Sequence, residues 1–348
     1  MRPLAWETLR DVVREPWERL RRAPTSRLRR STPRLPDDTA ADARSHGRWR
    51  EGWHDDPAGE RPFAVYTPPD LAPDAPLLVL LHGCRQDPAD LAAGTGANVL
   101  ADRRGFAVVY PQQTIQHNSR QCWNWFRPGD QTRGSGEPAI ISAIVDRIAT
   151  AVGSDRRRVY VAGMSAGGAM ASVLATTYPD RFAAVGVHSG VAFGLATDPR
   201  AALAVMRDVD PQPSRPEARA ALAVMGDGAR PVPTVVVHGS ADRTVVAANG
   251  ERVTRQWMLV NRLASGGSYR AEFDDPDHED RWPVTDGHDV VVRQWTHRLR
   301  VMQEHWHVDG LGHAWSGGSM EGSYTDPRGP SATAAMWNFL ARHRLPVM

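Results

Sequence analysis

The amino-acid sequence predicts an α/β fold in which a mostly parallel β-sheet is flanked by helices. From about residue 61, short and almost continuously apolar runs alternate with longer amphipathic segments. This alternation is typical of parallel strands that are buried between two layers of helices. The chain has 348 residues, of which 41% are hydrophobic and 24% charged. This length and composition are sufficient for one large domain with a sizeable core.

Strand and helix patterns follow one another in a regular order. Residues 77–81 and 106–110 are the first apolar strand candidates, and 91–103 between them has a helical pattern. The later strands are predicted at 159–162, 183–187 and 234–237, and the later helices at 139–152, 166–178 and 247–262. The chain closes with paired strands at 290–295 and 301–308 and a helix at 328–344.

Two segments depart from this alternation. Residues 1–58 are predicted to be an Arg- and Pro-rich N-terminal extension, with a weak helical pattern at 6–20. Part of it is predicted to be disordered, because its few apolar residues cannot offset the entropy of ordering the chain. The main domain is predicted to span 59–348. Within it, about 196–230 is predicted to be an insertion over one edge of the sheet that could act as a lid.

The charge and hydropathy of the chain exclude several classes of partner. The formal net charge is +2, which is too small to indicate nucleic-acid binding. All 42 basic residues are arginines, which we attribute to codon usage. The sequence contains no run of about 18 apolar residues, so we expect no transmembrane helix and no membrane partner. Arg and Glu interrupt every apolar stretch of the first 50 residues, so a standard secretory signal is not expected there.

The segment Gly163-Met164-Ser165-Ala166-Gly167 lies between a predicted strand and a predicted helix. A Gly-x-Ser-x-Gly segment in this context is typical of a strained turn that exposes a nucleophilic serine. Small flanking residues allow the backbones of strand and helix to approach each other. We therefore predict that Ser165 is a nucleophile. The amide of Ala166, at the N-terminus of a helix, is then placed to receive a developing oxyanion.

A serine hydroxyl needs a base, and Asp242 and His313 are the predicted partners of Ser165. Asp242 follows the strand at 234–237, and His313 follows the last strand, directly after the segment Gly310-Leu311-Gly312. The order serine, acid, histidine is the one found on this architecture. Asp242 could instead cap a helix, and His238 is the second choice for the base.

Two further histidines raise a metal site as an alternative. His305 and His307 lie on one face of the last predicted strand and, with His313, could imitate a cluster of zinc ligands. No His-Glu-x-x-His segment accompanies them. We therefore favour structural roles for His305 and His307, and we expect neither a metal nor a cofactor.

The strand at 77–81 runs into His82-Gly83-Cys84, which is predicted to supply the second oxyanion donor through the amide of Cys84. Cys84 and Cys122 are the only cysteines. Loops that follow neighbouring strands meet at the same end of a sheet, so a disulfide between them is geometrically possible and favoured. Such a bridge would imply an oxidising compartment. Two free thiols remain the alternative.

Four segments together resemble the polyhydroxybutyrate (PHB) depolymerase family of esterases, which have the α/β-hydrolase fold and are related to feruloyl and acetylxylan esterases. The resemblance covers about residues 61–340 and rests on Leu81-His82-Gly83-Cys84 with the following Gln86, Gln121-Cys122-Trp123-Asn124-Trp125-Phe126, Gly163-Met164-Ser165-Ala166-Gly167-Gly168, and Gly310-Leu311-Gly312-His313-Ala314-Trp315-Ser316-Gly317-Gly318. It implies a catalytic triad of Ser165, Asp242 and His313 and supports the Cys84–Cys122 bridge. It also implies an extracellular protein, with a cytoplasmic one as the alternative because no standard signal is seen.

The predicted function is that of a serine esterase acting on poly- or oligo-(3-hydroxyalkanoates) such as PHB through an acyl-enzyme. Trp125 and Trp315 lie in segments that approach the nucleophile, so we predict that their aromatic faces bind substrate. Ordinary core packing is the alternative for each. A feruloyl or acetylxylan esterase is the second hypothesis, and a non-catalytic polymer-binding protein on a hydrolase scaffold is the third.

Overall fold

A computed structural model describes residues 45–270 and 272–347. In this part of the chain, ten strands form one mixed sheet, and two further short strands pair with each other. The strands are β1 (Arg48–Asp56), β2 (Gly59–Thr67), β3 (Leu77–Leu81), β4 (Ala107–Pro111), β5 (Val159–Met164), β6 (Ala184–His188), β7 (Thr234–Gly239), β8 (His278–Trp282), β9 (Val290–His297), β10 (Arg300–Val308), β11 (Trp315–Ser316) and β12 (Thr325–Asp326). The order across the large sheet is β1-β2-β4-β3-β5-β6-β7-β10-β9-β8.

Helices cover both faces of this sheet. They are α1 (Pro88–Thr95), α2 (Ala97–Arg104), α3 (Gly136–Ala151), α4 (Ala166–Thr177), α5 (Pro199–Arg207), α6 (Arg215–Met225), α7 (Ala248–Ala264) and α8 (Ala332–Leu340). One apolar core lies between the sheet and the layer that contains α3, α4, α6 and α7. A second core lies on the other face, against α1, α2 and α8.

The six central strands, from β4 through β3, β5, β6 and β7 to β10, run parallel to one another. Every residue of β3, β5 and β6 is buried. Strands covered on both faces are apolar at nearly every position, whereas a strand with one exposed face alternates. This arrangement confirms the predicted α/β class and places the carboxyl ends of the parallel strands at one edge of the sheet.

Strand β1 lies before residue 59, where the main domain was predicted to begin. It pairs antiparallel with β2 along its full length, from Arg48 opposite Thr67 to Asp56 opposite Gly59. The strand lies at the sheet edge and is mostly exposed, so its charged residues hid it from a search for apolar runs. The helical pattern predicted at 6–20 lies outside the described residues, and disorder of the extension stays a prediction.

Other elements also differ from the sequence prediction. The helix expected at 91–103 is divided into α1 and α2 by Gly96, whose φ of 64° ends the first helix. Its amide donates to the carbonyl of Ala92, which satisfies a carbonyl at the end of α1. Strand β8 was not predicted, because it is an exposed edge strand rich in polar residues.

The insertion at about 196–230 consists of α5, α6 and their connections. Helix α5 begins after Asp198, whose carboxylate accepts the amides of Arg200 and Ala201. Helix α6 begins with a capping box between Ser214 and Glu217, a signal that stabilises a helix start. Helix α6 packs against α4 and α7. The insertion therefore extends the helical layer over the central strands instead of covering a sheet edge.

Candidate active site

Ser165 occupies a sharp turn between β5 and α4. Its φ of 56° and ψ of −120° lie in a region that non-glycine residues rarely adopt. The flanking glycines explain how the turn closes: a Cβ at Gly167 would lie 2.2 Å from the carbonyl oxygen of Leu81, and a Cβ at Gly163 would lie 2.4 Å from that of Gly167. Backbone packing at these distances requires glycine at both positions.

The structure brings Ser165, His313 and Asp242 into one chain of hydrogen bonds. His313 Nε2 lies 3.0 Å from Ser165 Oγ, and His313 Nδ1 lies 2.7 Å from Asp242 Oδ2. Because a carboxylate only accepts, Nδ1 carries the proton and donates to Asp242. Nε2 is then free to accept the hydrogen of Ser165. The three side chains come from the ends of β5, β7 and β10, which meet at the carboxyl edge of the sheet.

The carboxylate of Asp242 is buried and fully engaged. Its Oδ1 accepts the amides of Thr244 and Val245, each at 2.9 Å. Burial alone would raise the pKa of Asp242, but hydrogen bonds from His238 and His313 hold it well below its usual value. Asp242 is therefore ionised at neutral pH. The alternative in which it caps a helix does not apply to α7, which begins at Ala248.

His238 makes a second histidine contact with Asp242. Its Nε2 lies 2.8 Å from the carbonyl oxygen of Val245 and 3.5 Å from Asp242 Oδ2. The ring is almost completely buried. These contacts occupy the nitrogen that a base would use, so the geometry does not favour His238 as the base. Sequence reasoning missed this supporting contact, although the position four residues before Asp242 was visible.

The loop after β3 lies directly beside Ser165. A Cβ at Gly83 would lie 3.5 Å from Ser165 Cβ, and the amide of Gly83 donates to Gln86 Oε1 at 2.9 Å. Among the described residues, we find no acceptor for the amides of Cys84 and Ala166. Two unpaired amides near a serine hydroxyl have the arrangement that an oxyanion requires. Their assignment as oxyanion donors stays a prediction.

The predicted disulfide between Cys84 and Cys122 is present, with Cα atoms 4.2 Å apart. It joins the loop after β3 to the loop after β4. A second connection is the indole of Trp123, which donates to the carbonyl of His82 at 3.1 Å. His82 in turn accepts the amide of Gln113 at 2.9 Å. The loop that carries the amide of Cys84 is thus fixed by covalent and polar contacts.

A buried carboxylate anchors the segment after Cys122. Glu137 accepts the backbone amide of Asn124 at 2.7 Å and its side-chain amide at 2.6 Å. A guanidinium nitrogen of Arg61 lies 3.3 Å from Glu137 Oε1, and the side-chain amide of Gln113 donates to the same carboxylate. Burial raises the pKa of Glu137, and this full set of donors satisfies its oxygens. Sequence reasoning missed this network, because its members are distant in the chain.

A cavity of about 670 Å³ opens above Ser165. Trp125 lines it together with Phe126, Val191, Leu203 and Met206, so a contact between Trp125 and substrate stays a prediction.

The position of Trp315 differs from the prediction that this side chain binds substrate. It is 2% exposed and does not line the cavity. Its ring stacks on His188 with centroids 4.8 Å apart, and its indole donates to Thr333 at 2.9 Å. After His313 the chain turns into β11, which directs Trp315 toward α8. The packing alternative is therefore the correct one for this tryptophan.

Two other buried histidines have structural contacts. His188 Nε2 accepts the amide of Ser316 at 3.1 Å, and burial lowers the pKa of His188 to about 3. Nδ1 of His305 lies 2.8 Å from the hydroxyl of Thr254.

Within the described residues no group of three or more His, Cys, Asp or Glu is arranged to hold a metal ion. The described helices include none that is long and apolar enough to cross a membrane.

Comparison with known proteins gives consistent results. The family described as Esterase PHB depolymerase matches residues 61–275. Poly(3-hydroxyalkanoate) depolymerase C of Paucimonas lemoignei is 40% identical over 202 residues, which are 55% of this chain and 46% of that protein. Feruloyl esterase B of Thermothelomyces thermophilus is 38% identical over 133 residues, 38% of this chain and 45% of that protein. The chain thus spans about half the length of these curated relatives.

A relative matched over more of its length is acetylxylan esterase A of Aspergillus ficuum, 30% identical over 214 residues that make up 59% of this chain and 69% of that protein. Among solved structures, the acetyl xylan esterase from Aspergillus awamori superposes with a TM-score of 0.66 at 22% identity, over 84% of this chain and 99% of that one. The superposition shows a shared fold.

Proposed function

The chain belongs to the PHB depolymerase family of esterases, and on this premise we propose that it is a serine carboxylic ester hydrolase. Ser165 is the nucleophile, His313 the general base and Asp242 the group that orients His313. The observation that carries the proposal is the chain of hydrogen bonds from Ser165 through His313 to Asp242, at 3.0 and 2.7 Å. Distances of this kind allow a proton to move from the serine to the imidazole.

The proposed reaction proceeds through an acyl-enzyme. Ser165 Oγ attacks the ester carbonyl carbon while its proton moves to His313 Nε2, and the amides of Cys84 and Ala166 hold the resulting oxyanion. The tetrahedral intermediate collapses, and the leaving alkoxide takes the proton from His313. Water then attacks the acyl group and gives a proton to His313, which returns it to Ser165 as the carboxylic acid leaves. Asp242 stays ionised throughout and stabilises the imidazolium.

The proposed substrates are poly- or oligo-(3-hydroxyalkanoates). The name of the Paucimonas lemoignei relative supports this class, and the cavity of about 670 Å³ has the size of ordinary ligand pockets. Apolar side chains such as Trp125, Phe126 and Leu203 suit the alkyl groups of such esters. A feruloyl or acetylxylan esterase is the second candidate, favoured by the names of other relatives.

A hydrolysis panel tests the activity and its substrate. We expect the wild-type protein to hydrolyse p-nitrophenyl butyrate and hydroxybutyrate oligomers, and Ser165→Ala to lose both activities at an unchanged melting temperature. Full activity of Ser165→Ala would contradict the assignment of the nucleophile. Turnover of methyl ferulate well above that of the oligomers would instead favour the carbohydrate-type esterase.

We propose an extracellular location on the basis of the disulfide between Cys84 and Cys122. Disulfides form and persist in oxidising compartments such as the cell exterior. Recovery of the native protein only from the cytosol, with both thiols reduced, would contradict this proposal.

A further inference from the structure

The wall of the cavity above Ser165 carries charge of one sign only. Its lining includes five arginines and no aspartate or glutamate; the arginines are Arg85, Arg120, Arg127, Arg207 and Arg243. The whole chain has 42 basic and 40 acidic residues. Codon usage accounts for arginine in place of lysine, but it does not account for a cavity that lacks carboxylates.

On the premise of the proposed function, we propose that this cavity selects esters that carry a second, anionic group. That group is a carboxylate separate from the scissile ester. A linear hydroxyalkanoate oligomer has such a carboxylate at its free end, whereas the interior of a polymer and an acetylated sugar do not. The preferred substrates are therefore short esters with a free acid terminus.

The state of the arginine side chains supports an anionic ligand. Arg85, Arg120, Arg207 and Arg243 are exposed, and their guanidinium groups form no hydrogen bond or ion pair with the described residues. Some other exposed arginines of the protein pair with carboxylates, as Arg133 does with Asp180 at 2.6 Å. The guanidinium groups of these arginines thus have no carboxylate partner among the described residues, and their planar set of donors suits the geometry of a ligand carboxylate.

Backbone contacts position the residues that carry these charges on two separate parts of the wall. The amide of Arg85 donates to the carbonyl of Arg120 at 2.9 Å, and the neighbouring disulfide fixes both loops. On the other part, the amide of Val246 donates to the carbonyl of Met206 at 2.8 Å. This bond connects the end of α5, with Arg207, to the loop that carries Arg243.

The surroundings of the arginines strengthen their field. Trp125, Phe126, Val191 and Leu203 contribute apolar surface to the same cavity. A cleft of one charge sign with low-dielectric walls focuses its field and raises the rate of encounter with an oppositely charged substrate. Salt weakens this attraction, because exposed charges are screened over about 10 Å at 0.1 M ionic strength.

A matched pair of substrates tests the proposal. The pair is a linear 3-hydroxybutyrate trimer with a free terminal carboxylate and the same trimer with a terminal carboxamide, which is neutral and of similar size. We expect kcat/KM at low salt to favour the carboxylate by about tenfold or more. The carboxylate-to-carboxamide ratio of kcat/KM should fall toward one in about 0.5 M NaCl, because salt at about this concentration screens exposed charges.

Arginine variants locate the effect within the protein. The double variant Arg207→Gln and Arg243→Gln is expected to lower the carboxylate-to-carboxamide ratio of kcat/KM. The matched control is Arg200→Gln on the same helix α5, since Arg200 is exposed but does not line the cavity. An equal loss of the ratio in Arg200→Gln would overturn the assignment to the cavity.

The wild-type comparison decides the proposal even if the double variant does not fold. Equal kcat/KM for the two trimers, or a preference for the carboxamide, would overturn the anionic subsite. If the wild type still hydrolyses the ester bonds of the carboxamide trimer and Ser165→Ala does not, the proposed esterase function remains intact. If the wild type hydrolyses neither the trimers nor p-nitrophenyl butyrate, both proposals are overturned.

Discussion

At the scale of single residues, Asp242 is the most constrained group around Ser165. The amides of Thr244 and Val245 hold its Oδ1, while His313 Nδ1 contacts its Oδ2 at 2.7 Å. The carboxylate cannot rotate without breaking one of these contacts. It therefore fixes both the orientation of the imidazole and the nitrogen that carries the proton.

Replacing Asp242 by asparagine is expected to preserve the fold and remove most of the activity. The amide oxygen can still accept from Thr244 and Val245, but its NH₂ group would face His313 Nδ1 and favour the wrong tautomer. We expect kcat for p-nitrophenyl butyrate to fall about 10³- to 10⁴-fold.

The matched control is Asp309→Asn. Asp309 is an exposed residue that accepts a hydrogen bond from Ser240 at 2.8 Å and makes no contact with His313. Its replacement should change kcat by less than about twofold, as is usual for surface positions. A kcat of Asp242→Asn within tenfold of wild type would contradict the role of Asp242.

At the scale of elements, the site depends on the close approach of β3 to the N-terminus of α4. A Cβ at Gly167 would lie 2.2 Å from the carbonyl oxygen of Leu81 and 2.6 Å from that of His82. Both atoms belong to backbone, which cannot move aside as a flexible side chain can. Gly312, beside His313, is different, because a Cβ there would meet nothing within 4 Å.

We therefore expect opposite results from two alanine substitutions. Gly167→Ala should displace α4 from β3 and separate the amide of Ala166 from the Cys84 loop. The expected loss in kcat is about 10²-fold or more, the size seen when one oxyanion donor is removed. Gly312→Ala should retain the activity and melting temperature of the wild type. Kinetics and thermal unfolding of both variants measure this, and equal effects in the two would contradict the packing argument.

The elements also show what could be predicted from sequence and what could not. The apolar parallel strands and the Ser165 turn were predictable, because burial on both faces and strained turns leave strong local signals. Strands β1 and β8 lie at the two edges and are largely exposed, so they leave no apolar run. The burial of Trp315 depends on its packing against His188, which lies far away in the sequence.

At the scale of the whole molecule, several buried histidines make stability depend on pH. Burial lowers the pKa of His82 and His343 to about 4 and that of His188 to about 3. The pKa of His305 is also well below its usual value because of burial. Below about pH 6.5 the unfolded chain binds protons at these rings while the folded protein does not. The folded state therefore loses stability as the pH falls from about 6.5 toward 4.

Each such histidine contributes a slope of up to about 1.4 kcal/mol per pH unit to the free energy of unfolding in this window. His343→Gln, far from Ser165 in the sequence, should reduce the total slope by about this amount. Urea unfolding between about pH 4.5 and 6.5 measures the slope. The internal control is the difference in the free energy of unfolding between variant and wild type at about pH 7 to 9, which should not vary with pH. An unchanged slope in His343→Gln would contradict this account.

The measurement that tests the central assignment most directly is covalent labelling by a fluorophosphonate, followed by mass spectrometry of the peptides. Such a reagent reacts with a serine only when a base activates its hydroxyl. We expect one label for each chain, located on Ser165, with none in Ser165→Ala and much slower labelling in His313→Ala. A label on a different serine, or none on the folded wild-type protein, would contradict the assignment of Ser165 as the activated nucleophile.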